Sequence, residues 1–172
     1  GIPFTGHTEY LAKLSKCRDV VMMMAGSRIK VALVTTHVPL KDVARHLTSE
    51  KVERVISLFY EALKRLGISK PRIAVCPLNP HGGEDGGKEE RLILRPAIQK
   101  MIRRGVSVQG PISADILFYR LNRGDFDGAV SMYHDQGLVP LKMVSFEEAV
   151  NVTLGLPFVR TSPDHGTAFD IA

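Results

Sequence analysis

Apolar positions along the chain follow two different spacings, and segments of the two kinds alternate. Short, almost entirely apolar runs have the length of buried strands, whereas longer segments repeat an apolar residue every three or four positions, as amphipathic helices do. The runs predicted to form strands are Val20–Met24, Lys30–Thr35, Arg72–Cys76, Val106–Val108, Asp127–Met132, Val150–Leu154 and Pro157–Arg160. The first two flank Ala25-Gly26-Ser27 and are predicted to form a hairpin or strand pair.

The helical segments are bounded by capping and breaking residues. In the longest, Thr48-Ser49 supplies the cap and the helical spacing continues until Gly67. Further helices are predicted after a cap at Thr5 or Thr8, over Leu40–Leu47, over Lys88–Arg104 with an interruption or kink at Pro96, and over Ser113–Tyr119. Strands alternating with helices predict an α/β fold, a layered α/β/α domain with a mostly parallel sheet. Because no linker or repeat divides the sequence, residues 1–172 are predicted to form a single domain.

The composition limits the kinds of protein this can be. Hydrophobic residues make up 44% of the 172 residues and charged residues 24%, which argues against a disordered chain. The longest apolar run, near Val20–Ala25, is far shorter than the roughly 18 residues of a membrane helix. Two cysteines, Cys17 and Cys76, cannot build a disulfide framework. Together with the lack of a recognisable leader, these features predict a soluble, cytoplasmic protein with no membrane partner.

The net charge of +5 raises the question of a nucleic-acid partner. The basic residues are spread through the predicted helices, where Glu50, Glu53 and Glu61 lie among them. Because neither a basic stripe nor an aromatic stacking motif is present, solvated helix faces explain this charge better than a nucleic-acid surface does. A small anionic substrate also suits a mildly basic protein.

Three histidines follow three of the predicted strands where each strand ends. They are His37 after Lys30–Thr35, His81 after Arg72–Cys76 and His134 after Asp127–Met132. The carboxyl ends of parallel strands share one sheet edge, where ligands bind, so the three imidazoles could converge there. One such histidine alone would more often cap a carbonyl or a helix, but three in the same topological position favour a divalent metal site. The donors favour zinc, although magnesium, manganese or cobalt could support the same chemistry.

Four other charged or polar positions stand out. His7 and His165 lie among polar and glycine neighbours at predicted loop-to-helix junctions, which suits either anion contact or simple capping. Lys142 and Arg160 each end an otherwise apolar segment, so each needs a partner, either a structural ion pair or a phosphate or carboxylate of a ligand. His46, beside Arg45 in a predicted helix, is expected to face solvent. Neither a GxGxxG nor a GxxxxGK[ST] fingerprint is present.

Several longer motifs resemble those of a single enzyme family. They are Gly6-His7-Thr8-Glu9-Tyr10-Leu11-Ala12, Thr36-His37-Val38-Pro39-Leu40, Asn79-Pro80-His81-Gly82-Gly83-Glu84, Met132-Tyr133-His134-Asp135-Gln136-Gly137, Asn151-Val152-Thr153-Leu154-Gly155-Leu156-Pro157 and Arg160-Thr161-Ser162-Pro163-Asp164-His165-Gly166-Thr167-Ala168. From the first residues to the last, the chain resembles the 4-hydroxythreonine-4-phosphate dehydrogenase family.

This resemblance implies an NAD- or NADP-dependent, metal-assisted oxidation in vitamin B6 biosynthesis. The secondary alcohol of 4-phosphooxy-L-threonine becomes a ketone, and the β-keto acid then loses carbon dioxide to give 3-amino-2-oxopropyl phosphate. The resemblance also implies a fold like one half of an isocitrate or isopropylmalate dehydrogenase, which binds its nicotinamide cofactor without GxGxxG. The active site would lie at a homodimer interface, with metal ligands drawn from both subunits.

Site roles carry over by motif. The metal ligands implied by the resemblance are His37, His81 and His134. The substrate contacts fall on His7, Thr8, Lys142, Asn151 and Arg160. The candidate catalytic residues are Lys142, which would stabilise charge or relay a proton, and Asp115 and Asp135, which would orient a ligating imidazole.

The sequence departs from the family pattern at several positions. Gly82 stands where the family has Ala, and Ser113 and Ile116 stand where it has Pro and Thr. These changes are expected near the site, so a related 4-phosphorylated threonate or erythronate is an alternative substrate. Family chains are about twice as long, and this one starts at Gly1 without an initiator Met. A fragment that binds metal and dimerises but is catalytically silent is therefore a second hypothesis.

Overall fold

The computed structural model describes residues 7–17, 19–83 and 87–163, with side chains from residue 10 onward. The α-helices are α1 (His7–Leu14), α2 (Ser49–Arg65), α3 (Arg95–Arg103), α4 (Ala114–Asn122) and α5 (His134–Ser145). The strands are β1 (Val21–Ala25), β2 (Lys30–Leu33), β3 (Ile73–Val75), β4 (Val108–Gln109), β5 (Gly128–Ser131), β6 (Val150–Leu154) and β7 (Arg160–Pro163). Shorter 3-10 turns occupy Leu40–His46 and Pro80–Gly83, and a π-helical turn at Glu90–Leu94 leads into α3.

The seven strands form one sheet in the order β4-β3-β5-β2-β1-β6-β7. Parallel pairing joins β4, β3, β5 and β2, whereas β1 pairs antiparallel with β2 and with β6, and β7 pairs antiparallel with β6. Only β1 and β7 therefore run against the common strand direction. The mostly parallel sheet confirms the predicted α/β class, and the β1–β2 pair confirms the predicted hairpin.

Helices cover both faces of this sheet. Because successive side chains of a strand point to opposite faces, Ala32 of β2 belongs to the core layer of α2 and α3, whereas Val31 and Leu33 belong to the layer of α4 and α5. Cys76 lies buried in the second layer, as a small core residue would, and burial raises the pKa of its thiol to about 12. The predicted α/β/α layering is confirmed.

The capping residues in the sequence predicted correctly where α2 begins and ends. The Thr48 hydroxyl accepts the backbone N–H of Lys51 at 3.2 Å, and the helix gives way to Gly67 at φ 93°. The interruption predicted at Pro96 is present as the π-helical turn Glu90–Leu94, which comes directly before α3, where Pro96 is the second residue. Proline cannot donate a helical hydrogen bond, and the helix continues past it after this local change of winding.

Two parts of the sequence prediction were wrong. The last strand spans Arg160–Pro163 rather than Pro157–Arg160, because the chain bends from Gly155, at φ 89°, through residue 158. The helix α5 was not predicted, since Gly137 and Pro140 both have low helix propensity. It forms because Leu138 and Leu141 are buried against the sheet, so packing outweighs local propensity.

Candidate functional site

His134 is the first residue of α5, and only Met132 and Tyr133 separate it from β5. The start of this helix lies close to the sheet: a Cβ added at Gly137 would come within 2.7 Å of Val31 Cγ1 and 2.9 Å of Ser131 Oγ. The side-chain oxygen of Gln136 accepts the backbone N–H of Met132 at 2.7 Å, which fixes the turn between strand and helix. The position of His134 is therefore set by backbone and helix packing, not by a flexible loop.

His37 is held close to His134 by the pairing of β2 with β5. Beyond the last ladder pair, Thr35 continues the contact, because its hydroxyl and its backbone N–H donate to the Met132 carbonyl at 2.7 and 3.1 Å. The rings of His37 and His134 lie 5.8 Å apart between centroids, with their planes at 42°. These two strand-end histidines converge as the sequence predicted.

Asp135 engages one nitrogen of the His134 ring. The two residues share a 2.7 Å hydrogen bond between Nδ1 and Asp135 Oδ1. With a carboxylate as partner, Nδ1 carries the proton and donates it, which leaves the lone pair of Nε2 available as a ligand. The contact is one that an orienting carboxylate would make, and the role of Asp135 stays a prediction.

His81 lies in the 3-10 turn Pro80–Gly83, after β3. Its φ of 53° is left-handed, and Gly82 and Gly83 follow with φ of 67° and 77°. The side chain is exposed. Among the described residues, no three His, Cys, Asp or Glu side chains lie close enough to one another to hold a metal ion. The structure therefore unites two of the three predicted ligands within one chain, and the full triad stays a prediction.

Three of the predicted substrate-contacting residues have described side chains. Lys142 is on α5, eight residues after His134, with its ammonium 5.7 Å from the centre of the Phe146 ring. Arg160 begins β7 and donates from Nη1 to Thr153 Oγ1 at 3.0 Å. Asn151, on the intervening strand β6, has a buried Oδ1 without a hydrogen-bond partner in the described part of the chain.

The structure gives fewer contacts for the remaining predicted site residues. Asp115 is exposed in the first turn of α4. The side chains of His7 and Thr8 lie outside the described part of the chain, although the backbone of both belongs to α1. His165 lies outside the described residues, and His46 is exposed as expected.

Comparison with known proteins agrees with this architecture. The family model described as pyridoxal phosphate biosynthetic protein PdxA matches residues 1–172. A 4-hydroxythreonine-4-phosphate dehydrogenase from Sulfurihydrogenibium sp. is 49% identical over 175 residues, covering 100% of this chain and 54% of that protein. An Oceanobacillus iheyensis protein, named as a D-threonate 4-phosphate dehydrogenase with that assignment marked as provisional, is also 49% identical, covering 100% of this chain and 53% of that protein.

A solved structure gives the same picture. The crystal structure of 4-hydroxythreonine-4-phosphate dehydrogenase from Klebsiella pneumoniae matches with a TM-score of 0.91 at 46% identity, covering 98% of this chain and 52% of that chain. The fold is therefore an α/β fold found in dehydrogenases. More specifically, the chain belongs to the PdxA family. It spans about half the length of the curated relatives it matches. None of the helices in the described part is both long and apolar enough to cross a bilayer.

Proposed function

We propose that this chain supplies the metal- and substrate-binding half of an NAD- or NADP-dependent dehydrogenase that oxidises and decarboxylates 4-phosphooxy-L-threonine in vitamin B6 biosynthesis. The observation that carries the proposal is the pair His37 and His134 at the carboxyl edge of the parallel strands. The family description and the names of the relatives support the reaction. In this proposal residues 1–172 act as a single domain in the cytoplasm, and the ligand is a small phosphorylated hydroxy acid rather than a nucleic acid.

The donors fit a divalent metal. Two imidazoles face each other, and the hydrogen bond from His134 to Asp135 leaves Nε2 of His134 available as a ligand. His81 is the third ligand in this proposal, and zinc is the metal that three imidazoles favour, with magnesium, manganese and cobalt as alternatives. When bound, the cation would supply Lewis-acid stabilisation of negative charge on the substrate oxygens.

The remaining residues bind the substrate and handle protons. Arg160 would donate to an anionic end of the substrate, for which a planar guanidinium is well suited. The buried, unsatisfied oxygen of Asn151 would accept a hydrogen bond from the ligand. Lys142 would stabilise charge or relay a proton, and Asp115, at the start of α4, would serve as an additional orienting carboxylate.

A second copy of the chain belongs to the proposal, because the described residues of one copy do not complete the ligand set. The outer face of α5 is apolar although it faces solvent: Val139 is 57% exposed, Met143 81% and Phe146 69%. The inner face of the same helix is buried against the sheet, so α5 is apolar on both sides, as expected for a helix covered in an assembly. Since α5 begins at His134, a copy docked on this face would lie beside the histidine pair.

The reaction can be tested directly. The purified chain, with a divalent metal and either NAD or NADP, is given 4-phosphooxy-L-threonine, and reduced nucleotide and carbon dioxide are followed together. Release of both supports the proposal. Metal binding and dimerisation without turnover would instead support the silent fragment.

A second substrate is favoured by one comparison. A relative as similar as any other reported above is named for D-threonate 4-phosphate. The same assay with this compound separates the two candidates by kcat/KM. A higher value for D-threonate 4-phosphate would replace the proposed substrate while leaving the site assignment intact.

A further inference from the structure

Glu90 is a buried carboxylate that no predicted role accounts for. It is 1% exposed and lies at the start of the π-helical turn that precedes α3. Its Oε1 accepts the backbone N–H groups of Leu78 and Asn79, each at 2.8 Å, and its Oε2 accepts Nδ2 of Asn79 at 2.9 Å. The carboxylate therefore binds the segment that connects β3 to His81.

The same carboxylate also contacts the chain on the other side of His81. A Cβ added at Gly83 would lie 2.5 Å from Glu90 Oε2, and one added at Gly87 would also clash with it. The Gly87 N–H donates to the Gly83 carbonyl at 3.0 Å, so both glycines are held beside the carboxylate. Glycine is needed at both positions because any side chain there would displace Glu90.

His81 needs support of this kind. A non-glycine residue at a φ of 53° lies in the left-handed region that a Cβ disfavours, so it persists only where its surroundings impose it. Residues 78, 79, 83 and 87, which bracket His81, all contact Glu90.

Glu90 carries the negative charge that this role requires. Burial raises the pKa of Glu90, but the hydrogen bonds from Asn79 and from the backbone outweigh burial and bring the pKa below its usual value. The group is therefore an acceptor for all three donors at neutral pH. Single π-helical turns of the kind that presents Glu90 are frequent at functional sites.

We propose that Glu90 is a positioning residue, whose hydrogen bonds to the loop before and contacts with the loop after His81 fix that histidine for metal binding. The proposal rests on the metal centre proposed above. Glu90 itself does not touch the metal or the substrate in this scheme, and it acts only through the backbone of the His81 loop.

The first test needs no metal. In Glu90→Gln, one carboxylate oxygen is replaced by an NH₂ group, which cannot accept from the donors on Leu78 and Asn79. We therefore expect faster hydrogen exchange at the Leu78 and Asn79 amides. We also expect shifted or multiple NMR signals for His81. The matched control is Asp127→Asn, because Asp127 likewise accepts a backbone N–H, that of Arg72 at 2.7 Å, but precedes β5 at the opposite end of the strand. His81 signals that stay single and unshifted in Glu90→Gln would overturn the proposal. Glu90→Ala gives the same comparison if the amide variant finds an alternative hydrogen-bond arrangement.

The second test uses Co²⁺ alone as the probe. Glu90→Gln should weaken Co²⁺ binding ~10–100-fold, the usual effect of losing an outer-shell partner, whereas Asp127→Asn should not. In a His81→Ala background, Glu90→Gln should have no further effect; an equal effect with and without His81 would overturn the proposal. If the unaltered chain binds no Co²⁺, the proposed metal centre fails, and the NMR comparison still decides the role of Glu90.

Discussion

The side-chain amide of Gln136 donates to the carbonyl oxygen of Pro77 at 2.7 Å, across 59 residues of sequence. Through this contact the first turn of α5 is joined to the loop that follows β3. The segments that contain His134 and His81 are therefore linked by this hydrogen bond as well as by the sheet.

Replacing Gln136 by Glu should break this link. A carboxylate can still accept the Met132 N–H, but it has no donor for the Pro77 carbonyl and places negative charge beside it. We expect a loss of about 1–3 kcal/mol in the free energy of unfolding, measured in urea. Gln99→Glu, on the exposed side of α3, is the matched control and should change stability by less than about 0.5 kcal/mol. Equal losses in the two variants would contradict the linking role.

Removing single histidines should identify the metal ligands. His37→Ala, His81→Ala and His134→Ala should each weaken binding of Zn²⁺ or Co²⁺ in titrations, whereas His46→Ala, exposed on a 3-10 turn, should not. Equal metal affinity in all four variants would show that the three histidines are not the ligands.

Mixing variants should show whether two copies share the ligands. Suppose that His81 of one copy completes the site formed by His37 and His134 of the other. A mixed dimer of a His81→Ala chain and a His134→Ala chain then keeps one intact site. Tight binding, at one site per mixed dimer, would then appear only in the mixture. No recovery would place all three ligands in one chain.

The outer face of α5 should control association. Met143→Glu puts a charge in the middle of the exposed apolar face, so we expect a monomer by analytical ultracentrifugation where the unaltered chain is a dimer. Leu92→Glu is the control, because Leu92 is also exposed, at 61%, but lies in the turn before α3 on the other side of the sheet. If the Met143→Glu chain is still a dimer, the interface lies on another surface.

Asp127 should make stability depend on pH in the acid range. The hydrogen bond from the Arg72 guanidinium is the main cause that lowers the pKa of Asp127. Because the folded pKa lies below the unfolded one, this pair stabilises the fold at neutral pH, and its contribution is lost as the pH falls below about 4 through the folded pKa. Asp127→Asn should flatten that acid limb in urea midpoints measured against pH. Glu61→Gln, in an exposed pair with Lys64, should leave the limb unchanged.

Local signals predicted the parts of the fold that local interactions determine. Thr48 and Gly67 marked α2 because a cap and a left-handed residue are chemical properties of single positions. The convergence of His37 and His134 was predictable because strand direction alone puts both residues at one sheet edge. The helix α5 was not, since Gly137 and Pro140 disfavour it locally and only contacts with the sheet compensate.

The sequence pattern did not predict the long-range polar contacts. Nothing in the pattern around Glu90 distinguishes it from Glu89, yet only Glu90 is fully buried beneath the His81 loop. Gln136 was seen only as part of a histidine motif, because its partner Pro77 is distant in the chain. Such pairs depend on tertiary packing, which hydrophobic spacing does not specify.

The two outer strands of the described sheet are poorly suited to pairing with a strand of another copy. One of them, β4, has only two residues, and the other, β7, is made of Arg160, Thr161, Ser162 and Pro163. Short or polar borders that end in proline are poor templates for adding a foreign strand, so growth into β-aggregates is disfavoured there. Among the described surfaces, the exposed apolar face of α5 is therefore better suited to contact with a second copy than either outer strand is.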